Sequence, residues 1–436
     1  MAAGPQTREA LARTILLVQH DLFPTLTDET IANELTTTPV RLTASHDALQ
    51  TTNGQTALVT AAILAAELGV QLNLDFPETR LLGPQPPLAG DGIRESILQL
   101  SEDLITPAAL GRDGAFQIAV GAEVRGPGVS FAADDWGFRL VTDGAAGEFG
   151  GDLPFGASIG AVAASAELFR HVMTQLGKHS GAAPLLEHPL RGPLPASHRL
   201  GRFNWCTTDL GAVDSISAGA IATAALYVLL RVPGLSMRLR LIDRDTGALS
   251  NLNRYLLLHR SLLDMPKTEA LVTYATDLIG IESDPRRFDG ENEAALTPLA
   301  QRTIVGVDHI PSRWRAQAAA PYWLGVGATS HFEVVVSEHA PDSACAGCLH
   351  PRDDPGPPGE IPTVSFVSAM SGFLLAYRLL RSSAGGAAPS QTLAYPFNLA
   401  GERPIWDGPL SARSDCPVGC KASNGQAGSL EMGPAR

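Results

Sequence analysis

The chain has 436 residues, 44% of them hydrophobic and 18% charged, with a formal net charge of -13. That length suits two or three domains, each burying its own core, and an apolar share this high beside 43 Gly and 32 Pro excludes a disordered or collagen-like chain. The acidic balance argues against nucleic acid or an anionic membrane as a partner bound through bulk charge, and five cysteines in so long a chain are no disulfide framework.

In chain order, the N-terminus MAAGPQTREALARTILL lacks the order of basic, apolar and small-residue segments of a signal peptide. Val40 to Ala44 reads as a strand, Thr51 to Gly54 as a turn, Thr56 to Leu68 as an Ala/Leu helix and Val70 to Leu74 as a strand ending at Asp75. Phe116 to Gly121 is a further strand and Ala157 to Met173 a helix rich in small residues. Gly177 to Arg202, rich in Gly, Pro and His without an apolar period, reads as a linker. The same plan then returns: strand Gly211–Ile216, small-residue turn Ser217–Ala222, helix Ile221–Leu230, strand Met237–Ile242 ending at Asp243, strand Thr303–Val307 and helix Ser365–Leu380. Ser382 to Ser390 reads as a second flexible stretch. The longest apolar run, Ile216 to Leu230, stops at Arg231, short of the ~20 residues that span a bilayer. The expectation is a soluble, cytoplasmic chain.

Strand, turn, helix and strand make a βαβ unit, which right-handed crossover places in a parallel sheet. Two such runs predict an α/β protein with two Rossmann-like folds: 1–177, a linker over 178–202, and 203–436.

The residues that carry chemistry begin at LIDRDTGALSNLNR. Asp243, at the carboxyl end of a strand, sits where such folds hold a ribose hydroxyl. Asn251, Asn253, Arg254 and Lys267 offer amide, guanidinium and ammonium donors of the kind a triphosphate needs. Asp308, directly after an apolar strand, is placed to hold Mg2+, which prefers carboxylate oxygen. Cys345 and Cys348, with Cys416 and Cys420, make two close thiol pairs that fit a structural Zn2+ site; His350 is either a substitute ligand or a surface histidine.

The run D-x-D-x-x-x-x-S-N-L-x-R, followed by Pro266-Lys267, by Asp308 and by the two cysteine pairs, resembles the ThiF/MoeB superfamily, the ubiquitin-activating-type adenylating enzymes. The resemblance covers roughly residues 200–425. It implies binding of ATP and adenylation of the C-terminal carboxylate of a ubiquitin-like protein or peptide. It also implies that Asp243 holds the ribose, that Asn251, Arg254 and Lys267 hold phosphates and that Asp308 holds magnesium. Ser217, Gly219 and Ala222 stand where the family has the three glycines of G-x-G-x-x-G. No cysteine lies in DDPGPPGEIPTVSFVSAM, where thioester-forming members carry their nucleophile. Either the enzyme stops at the acyl-adenylate, or Thr363, Ser365 or Ser368 forms an oxyester before transfer to a conjugating enzyme. Cys206, which precedes the glycine loop, reads as a buried apolar residue or, alternatively, a nucleophile.

The N-terminal copy matches at Asp75 but has no Ser-Asn-Leu-x-Arg run. By the same resemblance it is an inactive adenylation domain in a pseudo-dimer, lending the other copy an arginine, with Arg8 and Arg13 the candidates. The composition suits a bacterial source. Rival readings are a peptide-adenylating enzyme of natural-product biosynthesis, a Rossmann oxidoreductase using Asp243, and a non-catalytic scaffold.

Overall fold

The computed structural model describes residues 3–183, 197–205, 209–341, 343–353, 361–385, 391–397 and 405–420. Cys206, most of the linker and part of the segment before Thr363 lie outside them. The protein is α/β, with two mixed, parallel-rich sheets flanked by helices.

The first sheet holds β1 (Pro39–Ala44), β2 (Gln71–Asp75), β3 (Ala109–Leu110), β4 (Phe116–Val120), β5 (Gly128–Ala133), β6 (Gly137–Val141) and β7 (Ser197–Arg199). Their order is β3-β2-β1-β4-β5-β6-β7, parallel through β5 and antiparallel at β6 and β7. The second sheet holds β8 (Asp209–Ile216), β9 (Ser236–Ile242), β10 (Ile279–Asp284), β11 (Arg302–Val305), β12 (Trp323–Ser330), β13 (Glu333–His339), β14 (Gln391–Pro396) and β15 (Trp406–Pro409). Its order, β10-β9-β8-β11-β12-β13-β14-β15, repeats the first with one strand added, and its sense again turns antiparallel after the fifth strand.

The helices that matter below are α1 (Pro5–Ala10), α2 (Ala12–Asp21), α3 (Asp28–Thr37), α4 (Thr52–Glu67), α5 (Phe155–Ser180), α6 (Ala220–Leu229), α7 (Lys267–Val272), α8 (Ile310–Ala319) and α9 (Ser365–Ser383). In each half the long helix, α5 or α9, falls between the two antiparallel strands that end the repeated plan. Because α4 and α6 consist largely of small and aliphatic residues, they bury all round rather than on one stripe. They pack with α5 and α9 in one continuous core that includes residues of both sheets.

α4 and α6 run antiparallel. Gln85, which hydrogen-bonds Thr56 near the start of α4, receives the Arg231 guanidinium beyond the end of α6 at 2.9 Å. Mid-helix, the Thr60 hydroxyl meets the Tyr227 hydroxyl at 2.9 Å. The last residue of α4, Glu67, is thereby directed toward the start of α6. Arg231 lies 3.5 Å over the Tyr227 ring, so this buried polar seam between the halves is satisfied by ring face and oxygen together.

Two sequence expectations change. The Gly177–Arg202 segment is not linker throughout: α5 continues to Ser180, and Ser197–Arg199 is an edge strand paired with β6. Thr51 is the N-cap of α4 rather than part of an isolated turn, its hydroxyl accepting from the Gly54 N–H.

Candidate functional site

The carboxyl ends of β8, β9 and β11 open on one edge of the second sheet. β8 ends at Ile216, and Ser217–Gly219 turns the chain into α6, whose N-cap is Gly219. Ser217 holds a left-handed backbone, φ 125, a conformation that favours glycine. It is retained because the Ser217 Oγ accepts from the Gly219 N–H at 2.8 Å while the Ser215 hydroxyl donates to the Ser217 carbonyl at 2.8 Å. At Gly219 a Cβ would approach that Oγ to 2.9 Å and the Tyr255 hydroxyl to 3.7 Å. Ala222, one turn on, is buried against the strand ends. Ser217→Ala keeps the strain and loses the hydroxyl's bond, whereas Ser217→Gly loses the bond and the strain. Denaturant melts are expected to place the Gly variant about 1 kcal/mol above the Ala variant.

β9 delivers Asp243 across this loop. Its two oxygens accept from the Ala218 N–H at 2.8 Å and the Asp245 N–H at 2.9 Å. Burial raises its pKa above the ordinary carboxyl value, against those hydrogen bonds and the charge of Lys267. Lys267, first residue of α7, is buried and places its Nζ 3.1 Å from Asp245 Oδ2. Burial pushes its pKa down, but Tyr255, Asp243 and Asp245 outweigh burial, so the ammonium titrates above its usual value.

Tyr255 was not among the residues singled out from the sequence. Its ring lies close to two cations, the Arg254 guanidinium 5.4 Å and the Lys267 ammonium 5.5 Å from the centroid. Arg254 itself is buried, with Nη1 on the carbonyl of Ser250 at 2.5 Å and on Asn253 Oδ1 at 2.7 Å. The structure thus brings Ser217, Gly219, Asp243, Lys267, Tyr255 and Arg254 into one cluster. The side-chain oxygen of Asn251 is committed locally, accepting from the Ala248 N–H at 2.9 Å to close the turn. Asp308 stands exposed beyond β11, past Gly306, whose backbone packs against Ile221 and Ala222.

The N-terminal helices reach this cluster. α1 packs on the turn Leu249–Asn251. In α2, the Thr14 hydroxyl accepts from Asn253 Nδ2 at 2.9 Å, and the Arg13 carbonyl accepts from the Thr363 N–H at 3.3 Å. Arg13 also donates to the Ile361 carbonyl at 3.2 Å, and Arg8 donates to the Ala3 carbonyl at 2.8 Å. Of the two candidate arginines, Arg13 therefore lies between the Ser-Asn-Leu-Asn-Arg turn and the entry to α9.

Thr363, Ser365 and Ser368, read from the sequence as possible nucleophiles, are all buried. Thr363 and Ser368 share a hydrogen bond of 3.2 Å, and the Ser365 Oγ sits without a partner in the first turn of α9. As placed here, these hydroxyls pack the helix entry and do not face solvent.

Below the cluster lies Glu67, wholly buried, with neither carboxylate oxygen hydrogen-bonded. Burial raises its pKa well above the ordinary value, and the charge of Arg254 offsets that only in part; Tyr227 also feels it. A carboxyl raised in this way favours the folded state at pH below its unfolded value near 4.5 and loses that contribution as pH rises toward its folded value. Glu67→Gln is therefore expected to raise the melting temperature at neutral and higher pH and to change it little near pH 4. An equal shift at all pH values would refute this account of Glu67.

The first sheet treats the matching position differently. Asp75 at the end of β2 is held by Arg41, through Nε at 2.8 Å and through Nη2, with Arg112 Nε 3.5 Å away. Its βα connection is filled by its own chain: the Ser45 hydroxyl caps a short helix at Ala48, and Gln55 Nε2 bonds the carbonyls of Leu49 and Arg80.

The four cysteines converge elsewhere in the second half, every sulfur within 4.8 Å of the others. Cys345 and Cys416 are 3.3 Å apart, as are Cys348 and Cys420. At Gly347 a Cβ would stand 2.8 Å from Val418 Cγ2 and 3.0 Å from Cys416 Sγ, so a side chain there would crowd the knuckle. Burial pushes the Cys348 thiol up to about 11 and Cys345 higher still. Against burial, hydrogen bonds from the Cys420 backbone and the neighbouring thiol draw Cys416 down to about 7. A tetrahedral set of four thiolates suits Zn2+.

His350 lies outside the cysteine cluster and is half-buried. Its Nε2 accepts from Arg313 Nη1 at 2.9 Å, its carbonyl accepts from Trp314 Nε1 at 2.8 Å, and burial with the Arg313 charge lowers its pKa to about 3. Arg313 Nε in turn donates to the Val307 carbonyl at 2.8 Å, one residue before Asp308.

No family model matches the chain. It is 26% identical over 221 residues to Uncharacterized protein y4jF of Sinorhizobium fredii (strain NBRC 101917 / NGR234), a stretch that is 50% of this chain and 43% of that protein. Among solved structures it is similar to E. coli MccB with ATP, at 16% identity and a TM-score of 0.40, covering 48% of this chain and 65% of that one. The microcin C7 biosynthetic enzyme MccB in complex with N-formylated MccA gives 16% and 0.40, covering 48% and 67%. PaaA gives 14% and 0.36, covering 46% and 64%. The aligned parts thus span less than half of the curated relative and about two thirds of the solved chains. Among the described residues no helix is long and apolar enough to cross a membrane.

Proposed function

We propose that the chain is an ATP-dependent adenylating enzyme that activates the C-terminal carboxylate of a polypeptide, a ubiquitin-like protein in the fuller reading, and that the first sheet serves as an inert partner of the second. The observation that carries this is the cluster at the β8–α6 turn. A glycine-bounded backbone loop at a helix N-terminus faces two cations, Lys267 and Arg254, held on one tyrosine ring, with Asp243 across the loop.

In this reading the loop N–H groups, Lys267 and Arg254 neutralise phosphate oxygens, Asp243 accepts from a ribose hydroxyl, and Asp308 holds Mg2+, which would shield the charge of the phosphates. A substrate carboxylate oxygen bonds the α-phosphorus as the bond to pyrophosphate breaks, with no proton to move. Positioning and charge neutralisation are then the whole task of the side chains. A dinucleotide-dependent oxidoreductase would use Asp243 but has no task for Lys267, Arg254 and Asp308 together. The buried state of Thr363, Ser365 and Ser368 favours an enzyme that releases or directly passes on the acyl-adenylate, and with it a peptide as substrate stands beside the ubiquitin-like protein and its conjugating enzyme.

The test is exchange of labelled pyrophosphate into ATP with candidate carboxylate substrates. Exchange that requires both substrate and Mg2+ supports the reading; absence of ATP binding and of exchange with every substrate would sink it.

A further inference from the structure

Away from the candidate site, a second ligand cluster joins the N-terminal helices to the second sheet. α2 ends at His20-Asp21, and the turn between β12 and β13 carries His331. His20 Nδ1 lies 2.7 Å from Asp21 Oδ1, and His331 Nδ1 lies 2.9 Å from the same oxygen and 2.7 Å from Oδ2. The two rings are 5.1 Å apart, and the three ligand atoms fall within 4.8 Å of one another. His331 takes a left-handed backbone, φ 53, in the turn that aims its ring at Asp21. Glu333, two residues on, adds a negative charge felt by His331.

We propose that His20, Asp21 and His331 form a second metal site, for a borderline divalent ion of the Zn2+ class, which fastens α2 to the second sheet. Two imidazoles and one carboxylate are the donor set of Zn2+ sites with three protein ligands, whereas Mg2+ and Ca2+ take oxygen. Tetrahedral bonds of about 2.0–2.2 Å would set ring nitrogen and carboxylate oxygen roughly 3.3 Å apart, so each ring withdraws by about half an ångström. The side chains of His20, 58% exposed, and His331, 35% exposed, have room for that movement. Each neutral ring moves its proton from Nδ1 to Nε2 as the ion enters, so no proton is lost overall, and water completes the coordination. Asp21 and the local negative charge balance the ion. The site sits at the far end of the helix that carries Arg13 and Thr14 to the nucleotide cluster, so its occupancy would hold that helix in place.

The experiment uses the full chain stripped with chelator and titrated with Zn2+ alone, metal content being read by elemental analysis after gel filtration. The wild type is expected to retain one equivalent more than His331→Ala and than His20→Ala, whose exposed side chain can be removed without loss of fold. In all three, Co2+ substitution keeps the thiolate charge-transfer band of the cysteine cluster. Cu2+ added after a single equivalent of Zn2+ has filled the cysteine cluster should show coupling to two imidazole nitrogens in the wild type and to fewer in either variant. Equal metal content in the wild type and both variants would overturn the proposal and leave the cluster a hydrogen-bonded clasp. None of these readouts depends on the adenylation reading.

Discussion

Lys267→Ala is expected to lower ATP–pyrophosphate exchange by about 10²–10³-fold, the loss seen when one preorganised charge donor is removed from a site of developing negative charge. The size follows from where the ammonium is held. It is buried, its charge is favoured by Tyr255, Asp243 and Asp245, and it stands on the same ring as Arg254. The substitution leaves behind Asp245, whose side chain is 59% exposed and hydrates easily, so the fold should be retained and the melting temperature nearly unchanged. Lys267→Arg, which keeps the charge but spreads it over a planar fork, is expected to recover part of the rate. Asp308→Ala should abolish exchange as well, because it removes the proposed Mg2+ ligand. A Lys267→Ala enzyme that exchanges within threefold of the wild type would remove this lysine from the mechanism.

The second large effect is expected at the cysteine cluster. Cys345→Ser should drop zinc content by one equivalent and lower stability by several kcal/mol, since structural zinc contributes folding free energy directly and a lost ligand opens the tetrahedron. The damage should not stay local. The knuckle is tied to α8 by the Ala346 N–H on Gln317 Oε1 at 2.9 Å, and His350 braces Arg313, which braces the Val307 carbonyl beside Asp308. Exchange should therefore weaken with loss of zinc at temperatures where the chain is still folded. Circular dichroism, zinc analysis and exchange measured on one preparation would decide it. Full exchange activity in a folded, zinc-free variant would break the link between knuckle and Asp308.

The βαβ units were legible because period and punctuation agreed. Met237 to Ile242 lies within the observed strand Ser236–Ile242, and Ala/Leu composition marked α4 and α6. The edges were less so. Ser197–Arg199 sits in a Gly/Pro-rich stretch with no alternation and is a strand only because β6 offers it partners. Of the cluster, Asp243, Arg254 and Lys267 were picked out as parts of one ordered set, and Ser217 and Gly219 through the family resemblance. Tyr255 could have been noted as the aromatic next to Arg254, but its nearness to both cations is a fact of packing. Thr14 against Asn253, and Glu67 near Arg254, join residues far apart in sequence, which no local pattern carries. Thr363 and Ser365 were picked out by the segment they occupy, and segment position says nothing about burial.

In a symmetric dimer every substitution is made twice, so a residue that plugs one site plugs both. Joining the two sheets in one polypeptide lifts that constraint. Arg41 can neutralise Asp75 while Asp243, at the end of the matching strand, stays uncapped by any arginine among the described contacts. Thr60 can meet Tyr227, and Glu67 can lie beneath Arg254, with no mirror-image pair to accommodate. One half is thus free to diverge from the other at matching positions. The shared core makes that divergence inseparable from folding, and either sheet expressed alone would expose the helices on which the other rests.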